Sequence, residues 1–254
     1  MIPQINDRLH VPRDVGRKVQ GKIQCVEELS QFDLDCMLEL MQHHYAEVHR
    51  AEFERDLNEK NWVIALRNST GTICGFSTQV LWSVPGIPNA RVLFSGDTVV
   101  DQAYRFSTLL AGLWGKLALN LLEQYAEHTL YWFLISKGYK TYRYLPLFFH
   151  EFYPRRDTAM PADIDAKLKK IGRWRYHDKF CPLLGIVRAT PDSCRLRPEA
   201  APIDLRRLRD PDIEFFVSKN PNHAQGDELC CLAPLTRANL TPSALRVIQS
   251  AAEC

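Results

Sequence analysis

The stretch Val99-Val100-Asp101-Gln102-Ala103-Tyr104-Arg105-Phe106-Ser107-Thr108-Leu109-Leu110 joins the end of a β-like run to the start of a leucine-rich helical pattern. A strand that turns tightly into a helix aims free backbone N–H groups, and the positive end of the helix dipole, at one spot. With Arg105 in the turn, that spot suits an anion, and phosphate is the natural occupant. Ser107 or Thr108 can cap the helix. Upstream, Phe94-Ser95-Gly96-Asp97-Thr98 places a carboxylate inside an apolar strand, after a glycine that permits a bulge or a close backbone approach. Asp97 there can act as a base, or it can pair with an arginine or cap a turn. His150, Glu151 and Glu47 are the rival proton acceptors, each with a plain surface role as the alternative.

The surrounding pattern predicts the elements that would hold these groups. Lys22–Val26 reads as a strand. From Asp33, a possible cap, to about residue 59, apolar residues recur at three- and four-residue steps, which predicts a helix with a break before its charged tail. Trp62–Arg67 and Thr72–Val80, joined by Asn68-Ser69-Thr70-Gly71, predict an antiparallel hairpin. Ala90–Val100 is a strand rich in Val, Leu, Phe and Thr. Thr108–His128 is a helix with Leu109, Leu113, Leu117 and Leu121 on its buried side. Thr129–Ile135 is a strand, and Tyr139–Tyr153 is aromatic and helical, interrupted at Pro146. Farther on, Pro161–Trp174 reads as helix, Leu183–Arg188 and Ile213–Val217 as strands, and Thr241-Pro242-Ser243 as a helix start. This mixture argues for α/β class, with a central sheet and helices on its faces.

Bulk properties exclude several classes. The chain has 254 residues, 46% hydrophobic and 24% charged, with net charge +2, an ordinary globular balance that does not announce nucleic-acid binding. No run approaches the ~18 apolar residues of a membrane span. The first residues lack the charged start and apolar centre of a secretory leader, so the expected location is cytoplasmic. Eight cysteines, at 25, 36, 74, 181, 194, 230, 231 and 254, contain no Cys-x-x-Cys pair, so free thiols and no metal are expected.

The residues around Arg105 resemble the signature of the GNAT acyltransferases, which reads roughly Val-x-Pro-x-Tyr-Arg-Gly-x-Gly-x-Gly-x-x-Leu. Val100, Tyr104, Arg105 and Leu113 fall on matching positions, and the order of elements from Lys22 to about Tyr153 matches too, including the hairpin that ends in Gly75-Phe76. Phe106, Thr108 and Leu110 stand where the family has glycine or small residues, and a Cβ there narrows a phosphate cradle. The resemblance implies a mixed, mostly antiparallel sheet with helices on both faces. It divides the chain into an arm (1–20), an acyl-donor-binding core (21–160) and a C-terminal part (161–254) that completes the sheet and the acceptor side.

The implied activity is transfer of an acyl group from acyl-CoA, or from the acyl-phosphopantetheine of an acyl carrier protein, to a primary amine in a ternary complex. The amine would belong to a small molecule or to a lysine- or ornithine-like side chain of a peptide. The donor would contact Val99, Val100, Arg105, Phe106, Ser107, Thr108, Leu109 and Leu110. The strand before the phosphate turn would splay from its neighbour and take the pantetheine arm in the gap. By the resemblance Tyr144 protonates or hydrogen-bonds the leaving thiolate, with Tyr142 and Tyr153 as alternatives. The rings of Tyr139–Tyr153 either line a tunnel for a fatty acyl chain or simply pack. Lys167–Tyr176 is the densest basic patch, open to an acidic carrier protein, a phosphate or RNA, or a solvated face. No nucleic-acid partner is expected, and the chain would act as monomer or homodimer. The loop Asn220–Glu228 is a possible acceptor-side lid. Loss of the cradle glycines leaves a second reading, a GNAT-shaped protein that binds an acyl carrier or lipid without chemistry.

Overall fold

A computed structural model describes residues 19–105 and 107–251. Most of the arm expected over 1–20, and Phe106, lie outside the described residues. In chain order the elements are β1 (Gln20–Cys25), α1 (Gln31–His44), β2 (Tyr45–Ala46), α2 (Arg50–Asn58), β3 (Trp62–Arg67), β4 (Ile73–Trp82), β5 (Ala90–Val100), α3 (Leu109–Gln124), β6 (Thr129–Ser136), α4 (Tyr139–Tyr142), α5 (Tyr144–Phe148), α6 (Ala162–Tyr176), β7 (Phe180–Cys181), β8 (Ile186–Val187), β9 (Arg195–Leu196), α7 (Pro211–Lys219), β10 (Glu228–Pro234) and α8 (Pro242–Ser250). Eight strands form one sheet in the order β1-β3-β4-β5-β6-β10-β8-β7. Every neighbouring pair is antiparallel except β5 and β6, which run parallel and are joined by α3. A parallel pair needs a long crossover, and α3 supplies it.

Alternation along the strands separates the two faces. On one face Ile64, Leu66, Leu93, Leu130 and Trp132 pack under α3 and α8. On the other, Val63, Ala65, Phe76 and Val99 pack against α1 and α2. Phe94, Tyr131, Phe133 and Leu232 on that same face pack against Ile164, Leu168 and Ile171 of α6. This is the α/β layering expected, with a mostly antiparallel sheet covered on both sides. The part beyond residue 161 supplies α6, the outer strands β7 and β8, and β10, which lies beside β6.

Four expectations need correction. The helical stretch divides into two helices before its charged tail, as expected, but its cap is Ser30 and not Asp33. Ser30 Oγ accepts from the Asp33 N–H while the Asp33 carboxylate accepts from the Ser30 N–H. Arg67 then bridges the Asp33 carboxylate to the sheet at 2.6 Å. Ile213–Val217 lies in helix α7, begun by an Asp210 cap and Pro211 in the first turn. The strand expected over Leu183–Arg188 shrinks to Ile186–Val187. Finally, Glu228–Pro234 is a full strand in the sheet, where the sequence reading had only a polar loop followed by unassigned residues.

Candidate active site

β5 carries one extra residue relative to β4. Ser77 pairs with Thr98 and Gln79 pairs with Ser95, so Gly96 and Asp97 together face Thr78. Such a bulge shifts the side-chain parity of everything beyond it. Phe94 and Val99, five positions apart, consequently point to the same face of the sheet, and Asp97 turns toward the side covered by α1 and α2. Gly96 is required at the bulge. A Cβ there would lie 2.5 Å from Thr78 Oγ1 and 3.0 Å from Lys60 Cε.

A buried polar chain fixes the bulge from behind. Ser95 Oγ accepts from Trp114 Nε1 at 3.2 Å and Trp132 Nε1 at 2.9 Å, and donates to Gln79 Oε1 at 2.6 Å. Gln79 Nε2 donates to Ser77 Oγ at 2.7 Å, and the Ser77 and Thr98 hydroxyls form a hydrogen bond with each other at 2.7 Å. Each link lies in low dielectric, where a satisfied network is stiff and a broken one costly.

The parallel pairing of β5 with β6 ends at Ser95 and Leu134. Beyond it β5 stays with β4 as far as Val100, while β6 stays with β10 through Ser136. The two strands diverge, and a cavity of about 570 Å³ runs through the gap, edged by Gly96–Val100 on one side and Ile135 and Lys137 on the other. The splay expected of the strand before the phosphate turn is therefore present.

One end of the cavity is cationic. Arg105, in the turn after β5, and Lys140, on α4, both line it. Ser107 lies at the mouth, its Oγ accepting from the Leu109 N–H at 3.3 Å, and the first amides of α3 follow. Burial, with Arg105 and Arg207 nearby, holds the Lys140 pKa below its ordinary value, so a bound anion would favour its charged form. His44, at the end of α1, is buried; burial first, then Arg105 and His43, lower its pKa and keep the ring neutral. Arg105 Nη2 donates to His44 Nδ1 at 3.4 Å, which leaves the proton on Nε2, a buried atom with no hydrogen-bond partner among the described residues. Of the two substituted cradle positions among the described residues, Thr108 stands exposed, and Leu110 is buried in the core beneath α3 while also bordering the cavity.

The other end is anionic. Glu47, Glu52, Asp56, Asp97 and Glu228 line it, against the cations of Lys137 and Arg175. Lys60 lies behind, its ammonium 2.6 Å from Asp56. Burial, then the Asp56 carboxylate, push the Asp97 pKa up to about 6, against the pull of Lys137 and Lys60. Lys137 forms an ion pair with Glu228 at 3.1 Å and donates to Cys194 Sγ at 3.1 Å. Burial works against its charge, yet Glu228, Cys194 and Tyr45 hold the ammonium above its ordinary pKa.

The structure thus gathers Asp97, Val99, Val100, Arg105, Ser107, Leu110 and Tyr144 on one cavity. Tyr144, the first residue of α5, is half-buried there, and burial raises its phenol pKa. The remaining sites fall elsewhere. His150 and Glu151 are exposed and absent from the lining. The bridge between Phe149 and Leu240, and Asn239 bonds to both of their backbone N–H groups, hold that segment away from the gap. Leu109 packs toward Gly21 and the core, and Thr108 faces outward. Tyr142 is buried with its hydroxyl on the Pro154 carbonyl, and Tyr153 belongs to the core beneath α6. Of the rings in Tyr139–Tyr153, Tyr144 borders the cavity, while Tyr139, Tyr142, Phe149 and Phe152 pack into the core. In the basic patch, Lys167 and Lys169 pair with Asp163 and Asp165, Lys170 caps the Gly86 carbonyl, and Arg175 pairs with Glu59.

His44, Lys137, Lys140 and Cys194 carry no expectation from the sequence, and Glu228, the last residue of the loop expected to form an acceptor-side lid, lines the cavity from the start of β10. Among the described residues no group of three or more His, Cys, Asp or Glu side chains is arranged to hold a metal ion, and no helix is long and apolar enough to cross a membrane.

No protein-family model matches the sequence, and no curated protein matches it. Solved structures with a similar fold include acyltransferases named as GNAT members. The Escherichia coli GNAT-family N-acetyltransferase YhbS, in complex with CoA, is 14% identical over 49% of this chain and 66% of its own, with a TM-score of 0.36. A Trypanosoma brucei acetyltransferase is 19% identical, covering 57% of this chain and 99% of its own, with a TM-score of 0.41. The Mycobacterium tuberculosis protein Rv2747, in complex with CoA and a second ligand, is 12% identical over 85% of this chain and 99% of its own, with a TM-score of 0.40. These likenesses are distant.

Proposed function

We propose that the chain is a GNAT-type N-acyltransferase that moves a short acyl group from acyl-CoA to a cationic primary amine. The observation that carries this reading is the gap between β5 and β6, open from the Arg105 end to the Asp97 end. A pantetheine arm is a thin chain with amide groups, and the unpaired edge of a splayed strand offers it backbone partners. Arg105, Lys140 and the start of α3 suit the donor's phosphates. The carboxylates at the opposite end suit an approaching ammonium.

The chemistry follows from that layout. An alkylammonium has a pKa of about 10.4 and must lose a proton to attack. Asp97, poised near neutrality, takes it directly or through a water. The amine nitrogen bonds to the thioester carbonyl, and an amide on the free edge of β5 stabilises the oxyanion. The carbon–sulfur bond then breaks, and Tyr144 donates to the departing sulfur.

CoA is favoured over a carrier protein as donor because the surface suited to an acidic protein, Lys167–Arg175, is largely engaged with its own carboxylates and carbonyls. A short acyl group is favoured because the aromatic segment packs into the core. The test is thiol release from acetyl-, butyryl- and octanoyl-CoA, and from acetylated carrier protein, against small amines and lysine peptides. Amine-dependent release with the shorter CoA esters is expected. CoA retained on the purified protein with no turnover for any pair would favour a binding protein instead.

A further inference from the structure

Lys60 follows α2, and only 1% of its side chain reaches solvent. Its backbone is pinned from both sides. The Lys60 N–H donates to the Leu57 carbonyl in the last turn of α2. The next residue, Asn61, holds β4: its N–H donates to the Gln79 carbonyl, and its Oδ1 accepts from the Leu81 N–H. The Lys60 side chain then runs beneath the bulge of β5. Its Cε lies 3.0 Å from where a Gly96 Cβ would stand, and its Nζ lies 5.9 Å from the centre of the Phe94 ring. The ammonium donates to the Asp56 carbonyl at 2.8 Å and pairs with the Asp56 carboxylate at 2.6 Å. Asp56 borders the cavity, whereas Lys60 is outside its lining.

A buried ammonium is costly even when paired, and an apolar side chain of similar length would fill the same space. Packing therefore does not account for the charge. From outside the lining Lys60 does not touch a substrate, so any part it plays in the reaction passes through the bulge it supports, and that bulge carries Asp97. We infer that Lys60 is the positioning residue of the proposed base: it fixes the Asp97 bulge from behind and, with Asp56, sets the balance of charge around that carboxylate. The inference rests on the acyltransferase reading, with Asp97 as base in direct transfer to the amine.

Charged groups face the Asp97 end of the cavity from several elements: Glu52 and Asp56 from α2, Arg175 from α6, Lys137 just after β6 and Glu228 from β10. Glu47 and His49 stand before α2, and Tyr45, Tyr176 and Cys194 complete the titratable walls. Lys137 is paired with Glu228, and Arg175 lies 3.7 Å from Asp56. Burial raises the Asp97 pKa first; the Asp56 carboxylate raises it further, and the Lys137 and Lys60 ammoniums lower it. The two members of one ion pair, Asp56 and Lys60, thus act on the base with opposite signs. A salt bridge that only braced α2 against the sheet would carry no such signature. Breaking it from either side would loosen the fold and leave the proton affinity of Asp97 alone.

The experiment follows Asp97 directly, by an NMR pH titration of the full chain carrying carboxyl-labelled aspartate; the Asp97 resonance is the one lost in Asp97→Asn. In parallel, kcat/KM for acetyl-CoA at saturating amine is measured across the same pH range. Midpoints are compared rather than amplitudes, because Asp56 also borders the acceptor end. The wild-type midpoint is expected at about 6 in both measurements. Lys60→Met should raise both midpoints by about half a unit or more, and Asp56→Asn should lower both. Lys60→Arg keeps the charge and should return the midpoint to the wild-type value. Thermal melts and CoA affinity show which variants are folded. A folded Lys60→Met with an unmoved Asp97 midpoint, or shifts of the same sign in Lys60→Met and Asp56→Asn, would overturn the inference. If Lys60→Met does not fold, Asp56→Asn decides alone, and a midpoint that stays or rises overturns it. Asp97 midpoints that move as expected, with no thiol released from any acyl-CoA by any amine, would sink the acyltransferase reading instead, and the role of Lys60 in that reaction with it.

Discussion

Replacing Asp97 with asparagine should move activity and stability in opposite directions. Asn keeps the shape of the side chain and removes its charge. The Asp97 pKa stands at about 6, against 3.8 for a free aspartate, mainly because burial disfavours the ionised form. Between about pH 4 and pH 6 the folded chain thus holds a proton that the unfolded chain has released. Stability must fall as pH rises through that window, and the loss is complete above it. Two pK units at about 1.4 kcal/mol each give about 3 kcal/mol of destabilisation at pH 8. Asp97→Asn should therefore stabilise the protein by up to about 3 kcal/mol at pH 8, or several degrees in Tm at this chain length. It should do almost nothing at pH 4. The same substitution should lower kcat by about 10²-fold or more, because the acceptor amine loses its base. Wild-type kcat/KM should fall with decreasing pH, half-maximal near the Asp97 pKa. Thermal melts at pH 4 and pH 8, paired with initial rates, test both halves. An Asn variant that is less stable at pH 8, or that turns over at the wild-type rate, would refute the reasoning.

Three further outcomes follow from the same geometry. Ser95→Ala strips a shared partner from the Trp114 and Trp132 indoles and from Gln79; at about 1–3 kcal/mol per buried group left unpaired, a loss of about 3 kcal/mol or more is expected in chemical denaturation. Gly96→Ala drives a Cβ against Thr78 and Lys60 and should cost about 1–3 kcal/mol, with a lowered kcat as Asp97 is displaced; unchanged melts and rates would mean that the bulge is not constrained. Arg105→Ala should raise KM for the acyl donor about tenfold or more while leaving kcat nearly intact, and should weaken the salt dependence of KM; a change in kcat alone would remove Arg105 from the phosphate end.

The strand–turn–helix around Arg105 was legible because its signals are local: a β-branched run, a turn, then leucines at helical spacing. The bulge was half legible. Gly96 before a carboxylate in an apolar strand flagged it, but the shift in parity appears only when β4 is laid beside β5. β10 was missed because its apolar run, Leu229 to Ala233, is short and has two cysteines, which carry a weak strand signal, at its centre. Such a run, bounded by Gly226-Asp227 and Pro234, is what a fully buried strand looks like. α7 was misread because Ile213, Phe215, Phe216 and Val217 favour strands, although Asp210 and Pro211 already marked a helix start. Lys137, Cys194 and His44 had no local signature. Their roles come from long-range pairing, β6 with β10 and β2 with β9, which a single sequence does not display.

The gap between β5 and β6 is expected to hold a pantetheine arm, and a crystal structure of the protein with CoA is the decisive check. The arm should lie along the free edge of Gly96–Val100, with its phosphates against Arg105 and the start of α3 and its sulfur toward Asp97. CoA bound on another surface, or a gap that stays empty at saturating CoA, would contradict it.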